Sequence, residues 1–232
     1  MPVATFREHL AIIKAKGFRA TLLRALWDAR DRAGTHCPVG LTFDDGSVSN
    51  FTHAYPALVE AEASADFFVN TATVGRPGFL SWAQIAEMQR GGCAFHSHSH
   101  DHVALVALGQ VALERQLRDS KRLLEDRLGA RVDFLAAPYG LLNSRVVRTA
   151  LQVGYRAVCT SWSWPARPGG RTVSRIAVYP DTAAREFVRL VQGRRLPFLR
   201  RMPRALLTHI PKRVLLRLRP GWLGVQTAET GS

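Results

Sequence analysis

The chain has 232 residues, 47% of them hydrophobic, and a formal net charge of +14 at pH 7. This length suits one large domain with its own core. Three scattered cysteines argue against a disulfide framework, and no stretch approaches the roughly 20 apolar residues that a membrane-spanning helix needs.

Helical and strand patterns alternate along the chain. The segment Thr5 to Glu8 is typical of a capping box, for a first helix that ends near Gly17. Apolar spacing and caps predict further helices at 20–33, 53–62, 81–91, 109–128 and from Asn143 onward. Short apolar runs predict strands at 38–43, 65–69, 93–97, 132–137 and 155–160. The alternation predicts an α/β fold with a parallel sheet, either open and doubly wound or closed into a barrel.

Polar residues follow three of the predicted strands. Asp44 and Asp45 come after the first of these strands, and Pro138-Tyr139-Gly140 comes after the third. The strand that begins at Cys93 runs into a cluster of histidines. Because sites in such folds lie at the carboxyl ends of the strands, we expect carboxylates, imidazoles and a tight turn to meet at one rim.

The histidine cluster is the most unusual segment of the chain. Residues 95–102 read FHSHSHDH, with a histidine at every second position. Four such rings are hard to place in a core, because each brings two nitrogens that need partners. The spacing leaves several pairs open as metal ligands: His96 with His100, His98 with His102, or neighbours two apart. Two imidazoles with one carboxylate are a common catalytic zinc set, and cobalt, nickel or iron also bind such ligands.

These segments resemble the motifs of the polysaccharide deacetylase family, the NodB-homology domains of carbohydrate esterase family 4. The run Thr42-Phe43-Asp44-Asp45-Gly46 is similar to the first motif of that family. Residues 92–105 resemble the second motif, in a register that selects His98 and His102, and residues 136–140 resemble the third. The resemblance extends from about Phe6 to Val178.

The resemblance implies a fold, a reaction and a set of site residues. The implied fold is a distorted (β/α) barrel of about seven parallel strands, and the reaction removes acetyl from an N-acetylated sugar in a glycan or glycolipid. Asp44 would be the general base, and the backbone N–H of Tyr139, beside Pro138 in the substrate site, would stabilise the oxyanion. One divalent metal ion, with zinc favoured over cobalt, nickel and iron, would have three protein ligands: Asp45, His98 and His102.

The later motifs depart from the family pattern. The third motif often begins with an arginine that orients the base, and Ala136 stands in its place. The fourth motif often has two aspartates ahead of a tryptophan, and both acids are absent here. Trp162 and Trp164 lie in the corresponding segment, and we expect them either to stack on sugar or to pack in the core. Leu207-Thr208-His209 matches the form of the fifth motif, which predicts His209 as the general acid.

The end of the chain is strongly basic. Eleven Lys or Arg residues and one acid, Glu186, lie between Arg185 and Arg219. We therefore divide the chain into a catalytic domain, 1–180, and a basic segment, 181–232, packed on or appended to it. Its interleaved apolar residues allow contact with an anionic membrane surface. The start of the chain shows no signal-peptide pattern, which predicts a cytoplasmic protein. Together with the basic segment, this predicts a protein at the inner membrane face. Flotation with anionic liposomes, with and without residues 194–232, would test the membrane contact.

Other functions were weighed against deacetylation. The charge is compatible with nucleic acid, but there is neither zinc-finger spacing nor an RNA-binding aromatic motif, so no nucleic-acid partner is expected. A hydrolase of a non-sugar amide bond and a non-catalytic carbohydrate-binding relative both stay open. The intact Asp44 and Tyr139 favour an enzyme over a binding protein.

Overall fold

The computed structural model describes residues 1–28, 37–161 and 169–193. Its eight strands, in chain order, are β1 Phe18–Thr21, β2 Cys37–Gly40, β3 Thr42–Phe43, β4 Asp66–Val69, β5 Ala94–Ser97, β6 Phe134–Ala136, β7 Ala157–Thr160 and β8 Thr172–Ser174. The first two form a parallel pair, and the other six form one sheet in the order β3-β4-β5-β6-β7-β8. Every neighbouring pair in that sheet is parallel.

Helices connect the strands. They are α1 Val3–Ala15, α2 Leu23–Asp28, α3 Tyr55–Glu60, α4 Trp82–Arg90, α5 Gln110–Leu128, α6 Ser144–Val153 and α7 Ala184–Val191. A π-helical turn, Asn50–Ala54, precedes α3, and the segments Leu105–Ala107 and Pro138–Gly140 are 3-10 turns. None of the helices in the described ranges is long and apolar enough to cross a bilayer.

The predicted α/β alternation with a parallel sheet is confirmed, with six strands in the sheet rather than about seven. The difference arises at Leu41, which separates β2 from β3: the part before it pairs with β1 and the part after it pairs with β4. The predicted cap at Ser81 is also confirmed, since Ser81 and Gln84 form a full capping box. Asn143 caps α6 through a 2.9 Å hydrogen bond from Val146 N.

Three predictions about local structure were wrong. Helix α1 begins at Val3 after Pro2, so Thr5 lies inside the helix and does not cap it. The helix predicted from residue 20 begins only at Leu23, because residues up to Thr21 pair with β2 as a strand. Strand β8 and helix α7 were missed: β8 has only three residues, and α7, although clearly amphipathic, lies in the segment that was treated only as basic.

The sheet is buried on both faces. Along β4, all four residues are buried, with Phe67 and Val69 in the large core against the outer helices and Phe68 in a second, inner core. Leu23 joins this inner core, and partly buried Leu26 and Trp27 pack against it. Helix α2 therefore contributes side chains to the inside of the curled sheet.

Helix α2 lies at the amino-terminal ends of the strands. Its first backbone N–H, from Leu23, donates to Asp66 Oδ2 at the start of β4 over 2.8 Å. Its last residue, Asp28, pairs with Arg156, which directly precedes β7. With α2 covering this end, the opposite, carboxyl ends of the strands are left for a site.

Candidate active site

Two adjacent carboxylates leave β3 and diverge. Asp45 has φ 72° and Gly46 has φ 68°, so the backbone turns through two left-handed residues. At Gly46 an added Cβ would lie 3.0 Å from the Val69 side chain, so both the φ angle and the space favour glycine. The Asp45 side chain points to His98 and His102, whereas the Asp44 side chain points to Arg175. The turn thus gives neighbouring aspartates different surroundings.

Asp45, His98 and His102 converge. Asp45 Oδ1 lies 3.2 Å from His98 Nε2 and 3.1 Å from His102 Nε2. One ligand atom from each residue lies within 4.8 Å of the others, and across the described residues this is the only group of its kind. Hydrogen bonds from His102 and then His98 hold the pKa of Asp45 well below its usual value, so the carboxylate is anionic. Two imidazole nitrogens and one carboxylate oxygen suit a divalent metal ion.

The tautomer of His98 gives an independent test of that fit. His98 Nδ1 lies 2.9 Å from the carbonyl oxygen of Ala136, which can only accept, so Nδ1 carries a proton. A neutral His98 then presents an unprotonated Nε2 towards Asp45. A nitrogen lone pair and an ionised carboxylate 3.2 Å apart repel each other unless a cation lies between them, either a second proton or a metal ion. Such backbone carbonyl support is usual behind metal-bound histidines.

The other two histidines of the cluster lie elsewhere. His96 is buried inside the curled sheet, with Nε2 3.0 Å from Asp66 Oδ1. His100 turns away from the group, with Nδ1 2.7 Å from Thr71 Oγ1. Of the pairs that the spacing left open, the structure therefore brings only His98 and His102 together with Asp45.

Left-handed backbone is concentrated at this rim. In the described part of the chain, five residues other than glycine have positive φ, and four of them are Asp45, Ser99, His102 and Tyr139. Each such residue costs on the order of 1 kcal/mol or more, and such residues cluster at active sites. The rim is therefore built from backbone that the surrounding contacts must hold in place.

Arg175, which the sequence interpretation missed, orients Asp44. Its Nη1 and Nη2 donate to the two Asp44 oxygens over 2.6 and 2.8 Å, and Nη1 also reaches Thr42 Oγ1 at 3.3 Å. The guanidinium lies 4.9 Å from the centre of the Phe68 ring. Arg175 directly follows β8, while Asp44 follows β3, and these strands are at opposite edges of the six-stranded sheet. The sheet is therefore curled enough for one side chain to join its two edges.

The ion pair determines the charge of Asp44. Burial alone would raise the pKa of this carboxyl, but the Arg175 guanidinium outweighs burial and lowers it. Arg175 thus supplies the paired cation for Asp44, while the third motif has Ala136 where an arginine was expected. A signal for it existed in the sequence, because it is a charged residue immediately after a strand, but that strand was not predicted.

Replacing Arg175 by methionine should shift the pH dependence of catalysis. Burial would then act on Asp44 without the opposing charge of Arg175, so the pKa of Asp44 should rise. An ionised base is lost as pH falls through its pKa, so the acidic limb of the kcat/KM profile should move to higher pH. We expect about 10- to 100-fold lower activity at neutral pH. Arg175→Lys should recover part of it, and metal content should stay unchanged; an unmoved acidic limb would reject this role.

The remaining predicted residues divide between the rim and the undescribed segments. Tyr139 lies on the 3-10 turn that follows β6, and its ring meets the edge of the His102 ring at 4.8 Å between centroids. Pro138 begins the same turn and is buried. Trp162, Trp164 and His209 lie outside the described residues, as does segment 194–232.

Comparison with known proteins identifies the family. The model of the polysaccharide deacetylase family matches residues 31–158, more than half of the chain. The chain belongs to the polysaccharide deacetylase family. Members of this family are hydrolases, so the prediction of a hydrolase from the motifs is confirmed.

Individual relatives agree with this membership. The chain is 26% identical over 191 residues to the Bacillus subtilis protein YxkH, named as a polysaccharide deacetylase, covering 81% of this chain and 68% of that one. It is 28% identical over 131 residues to the peptidoglycan-N-acetylglucosamine deacetylase of Bacillus cereus, covering 56% of this chain and 58% of that one. The solved structure of the Streptococcus pyogenes deacetylase PplD matches with a TM-score of 0.75 at 23% identity, over 82% of this chain and 86% of that one. This last likeness confirms the predicted family fold, a curled, mostly parallel sheet with outer helices.

Proposed function

We propose that this deacetylase is metal-dependent and removes N-acetyl groups from an amino sugar in a glycan or glycolipid. The observation that carries the proposal is the group of Asp45, His98 and His102 beside Asp44, which precedes Asp45 on the same turn and is paired with Arg175. The Bacillus cereus relative, named for N-acetylglucosamine in peptidoglycan, supports an amino sugar as the substrate.

The residues of the rim divide the work that amide hydrolysis requires. Asp45, His98 and His102 would hold one divalent ion, most favourably zinc; when bound, such an ion lowers the pKa of water and polarises a carbonyl. Asp44 would accept a proton from the attacking water, because it stays ionised beside Arg175 and directly precedes the proposed ligand Asp45. The backbone N–H of Tyr139 would donate to the acyl oxygen as it becomes negative. His209 is proposed to protonate the leaving amine.

A bound acetyl group would have to fit between these groups. Tyr139 packs on His102, so the turn that carries the proposed oxyanion donor is in contact with a proposed metal ligand. The Asp45 to Gly46 turn places the proposed base on the residue beside another ligand. Base, ligands and oxyanion donor thus follow the carboxyl ends of β3, β5 and β6, which the parallel sheet places at one rim.

The test combines metal content with acetate release. Purified protein should contain close to one zinc, cobalt, nickel or iron per chain by elemental analysis, and should release acetate from oligomers of N-acetylglucosamine. Metal without acetate release from any N-acetylated glycan would favour the alternative of a non-sugar amide or of a binding protein. A folded chain that takes up no metal, even after zinc or cobalt is added, would contradict the proposal.

A further inference from the structure

We propose that Gln116, on α5, is a positioning residue that holds the metal loop in its ligand-binding shape. The metal loop is defined here as residues 98–102, from one proposed metal ligand to the other. This inference rests on the proposed function, since it assumes that His98 and His102 bind a metal ion.

The Gln116 side chain makes three hydrogen bonds to the middle of the metal loop. Its Oε1 accepts from the backbone N–H of His100 over 3.2 Å and from that of Asp101 over 3.0 Å. Its Nε2 donates to Asp101 Oδ2 over 2.6 Å. Gln116 is itself only 6% exposed, so the amide is fixed by its surroundings. An amide is well suited to this position, because one oxygen must accept twice while the nitrogen donates to a carboxylate.

The metal loop needs such support because its backbone is unfavourable. Ser99 has φ 69° and His102 has φ 55°, so two of the five loop residues are left-handed. His98 is anchored independently, through the carbonyl of Ala136. His102 is the last residue of this strained segment, so its position depends on the shape of residues 99–101.

The loop is held from two sides. On the β4 side, Thr71 N and Ala72 N donate to the carbonyls of Ser99 and His100 over 3.3 and 3.0 Å. Gln116 holds the opposite side through backbone N–H groups. The β4 side bonds the carbonyl groups of two peptide units in the loop, and Gln116 bonds the N–H groups of the same two units. Each unit is therefore held at both ends. Loss of Gln116 would leave the carbonyl contacts, the bond from Ser99 N to Ser97 Oγ and the Thr71 bond to the His100 ring to oppose relaxation, but nothing described would then hold the N–H groups of residues 100 and 101.

The test removes the hydrogen bonds of Gln116 and then exchanges the amide and the carboxylate between Gln116 and Asp101. The measurement is zinc affinity, determined by competition with a chelating indicator. Gln116→Met keeps the side-chain volume and removes all three hydrogen bonds. We expect zinc to bind about 10- to 100-fold more weakly, the usual effect of removing support behind metal ligands. Gln89→Met is the matched control, because the Gln89 amide bonds Leu128 O over 3.2 Å at the far end of α5. It should leave zinc affinity unchanged.

The charged variants separate geometry from simple electrostatics. Gln116→Glu adds a negative charge close to the loop, which on charge alone would tighten zinc binding. We expect weaker binding instead, because the donor to Asp101 is lost and two carboxylates then face each other. Gln116→Glu/Asp101→Asn restores an acceptor for both N–H groups and a donor between the side chains at the wild-type net charge. It should recover to within about threefold of wild type. Asp101→Asn alone keeps the bond to Nε2, since its amide can turn its oxygen there, and should weaken zinc binding only through the loss of one charge.

The outcomes distinguish this inference from the proposed function. Undiminished affinity in Gln116→Met, tighter binding in Gln116→Glu, or no recovery in the double variant would each overturn the role of Gln116. A folded wild type that takes up no metal, even after zinc or cobalt is added, would instead overturn the proposed function. In that case hydrogen exchange still decides the positioning role: the amides of 99–102 should exchange faster in Gln116→Met than in wild type or Gln89→Met, and equal rates would reject it.

Discussion

Asp44→Asn is expected to retain its metal and to lose turnover by about 10²- to 10⁴-fold, the range that a general base contributes. Asparagine has nearly the shape of aspartate, but its amide cannot accept a proton from water at neutral pH. The Asp44 carboxylate accepts its two hydrogen bonds from Arg175 and not from the three ligand residues, so the metal group should stay intact. The measurement is kcat for acetate release together with metal content per chain.

Asp28→Asn is the matched control for this experiment. Asp28 also forms an aspartate–arginine pair, with Arg156, but at the amino-terminal ends of the strands. It should leave kcat unchanged, since it lies at the end of the sheet opposite the rim. Undiminished deacetylation by Asp44→Asn would remove Asp44 as the base, and a parallel loss of metal would reassign it to the ligand group.

His98→Ala and His102→Ala are each expected to abolish stoichiometric metal binding and to lower turnover by roughly 10³-fold or more. The loss follows because a metal ion contributes several kcal/mol to such reactions, and each 1.36 kcal/mol is about a tenfold change in rate. Each variant leaves only two of the three atoms that lie within 4.8 Å of one another. Elemental analysis and acetate release should therefore fall together.

An exposed histidine outside the group provides the comparison. His53 is exposed on the π-helical turn, where its Nδ1 lies 2.7 Å from Thr52 Oγ1. His53→Ala should keep both metal and turnover. Retained stoichiometric metal in His98→Ala or His102→Ala would show that the ion binds elsewhere, and loss of turnover without loss of metal would give that histidine a different role.

Much of the candidate site was predictable because its motifs are local. Asp44 and Asp45 are consecutive, and His98 and His102 are four residues apart, so a short segment carries each set. The short apolar runs before them predicted both strands, although β3 is only half-buried and β5 also contains His96 and Ser97. A parallel sheet then forces their carboxyl ends together, whatever the details of the connections.

Local patterns failed where a long-range contact decided the structure. Residues 20 and 21 fit a helical pattern, yet pairing with β2 makes them a strand. The four histidines share one spacing, but they make three different kinds of contact. His96 pairs with Asp66, His100 bonds Thr71, and His98 and His102 lie beside Asp45. Spacing is the same for all four residues, so it cannot separate them.

The sequence by itself determined the chemistry at the rim. The carboxylates, the imidazoles and the tight turn each follow a strand that a short apolar run predicts. Only the tertiary structure decided what holds these groups in place. Arg175 is 131 residues from Asp44 and reaches it because the sheet curls until its two edge strands lie within one side chain of each other. Gln116 supports the metal loop from a helix whose amphipathic pattern predicts only that it packs on the sheet. Curvature and helix docking arise from packing of the whole sheet, and no short stretch of sequence encodes them.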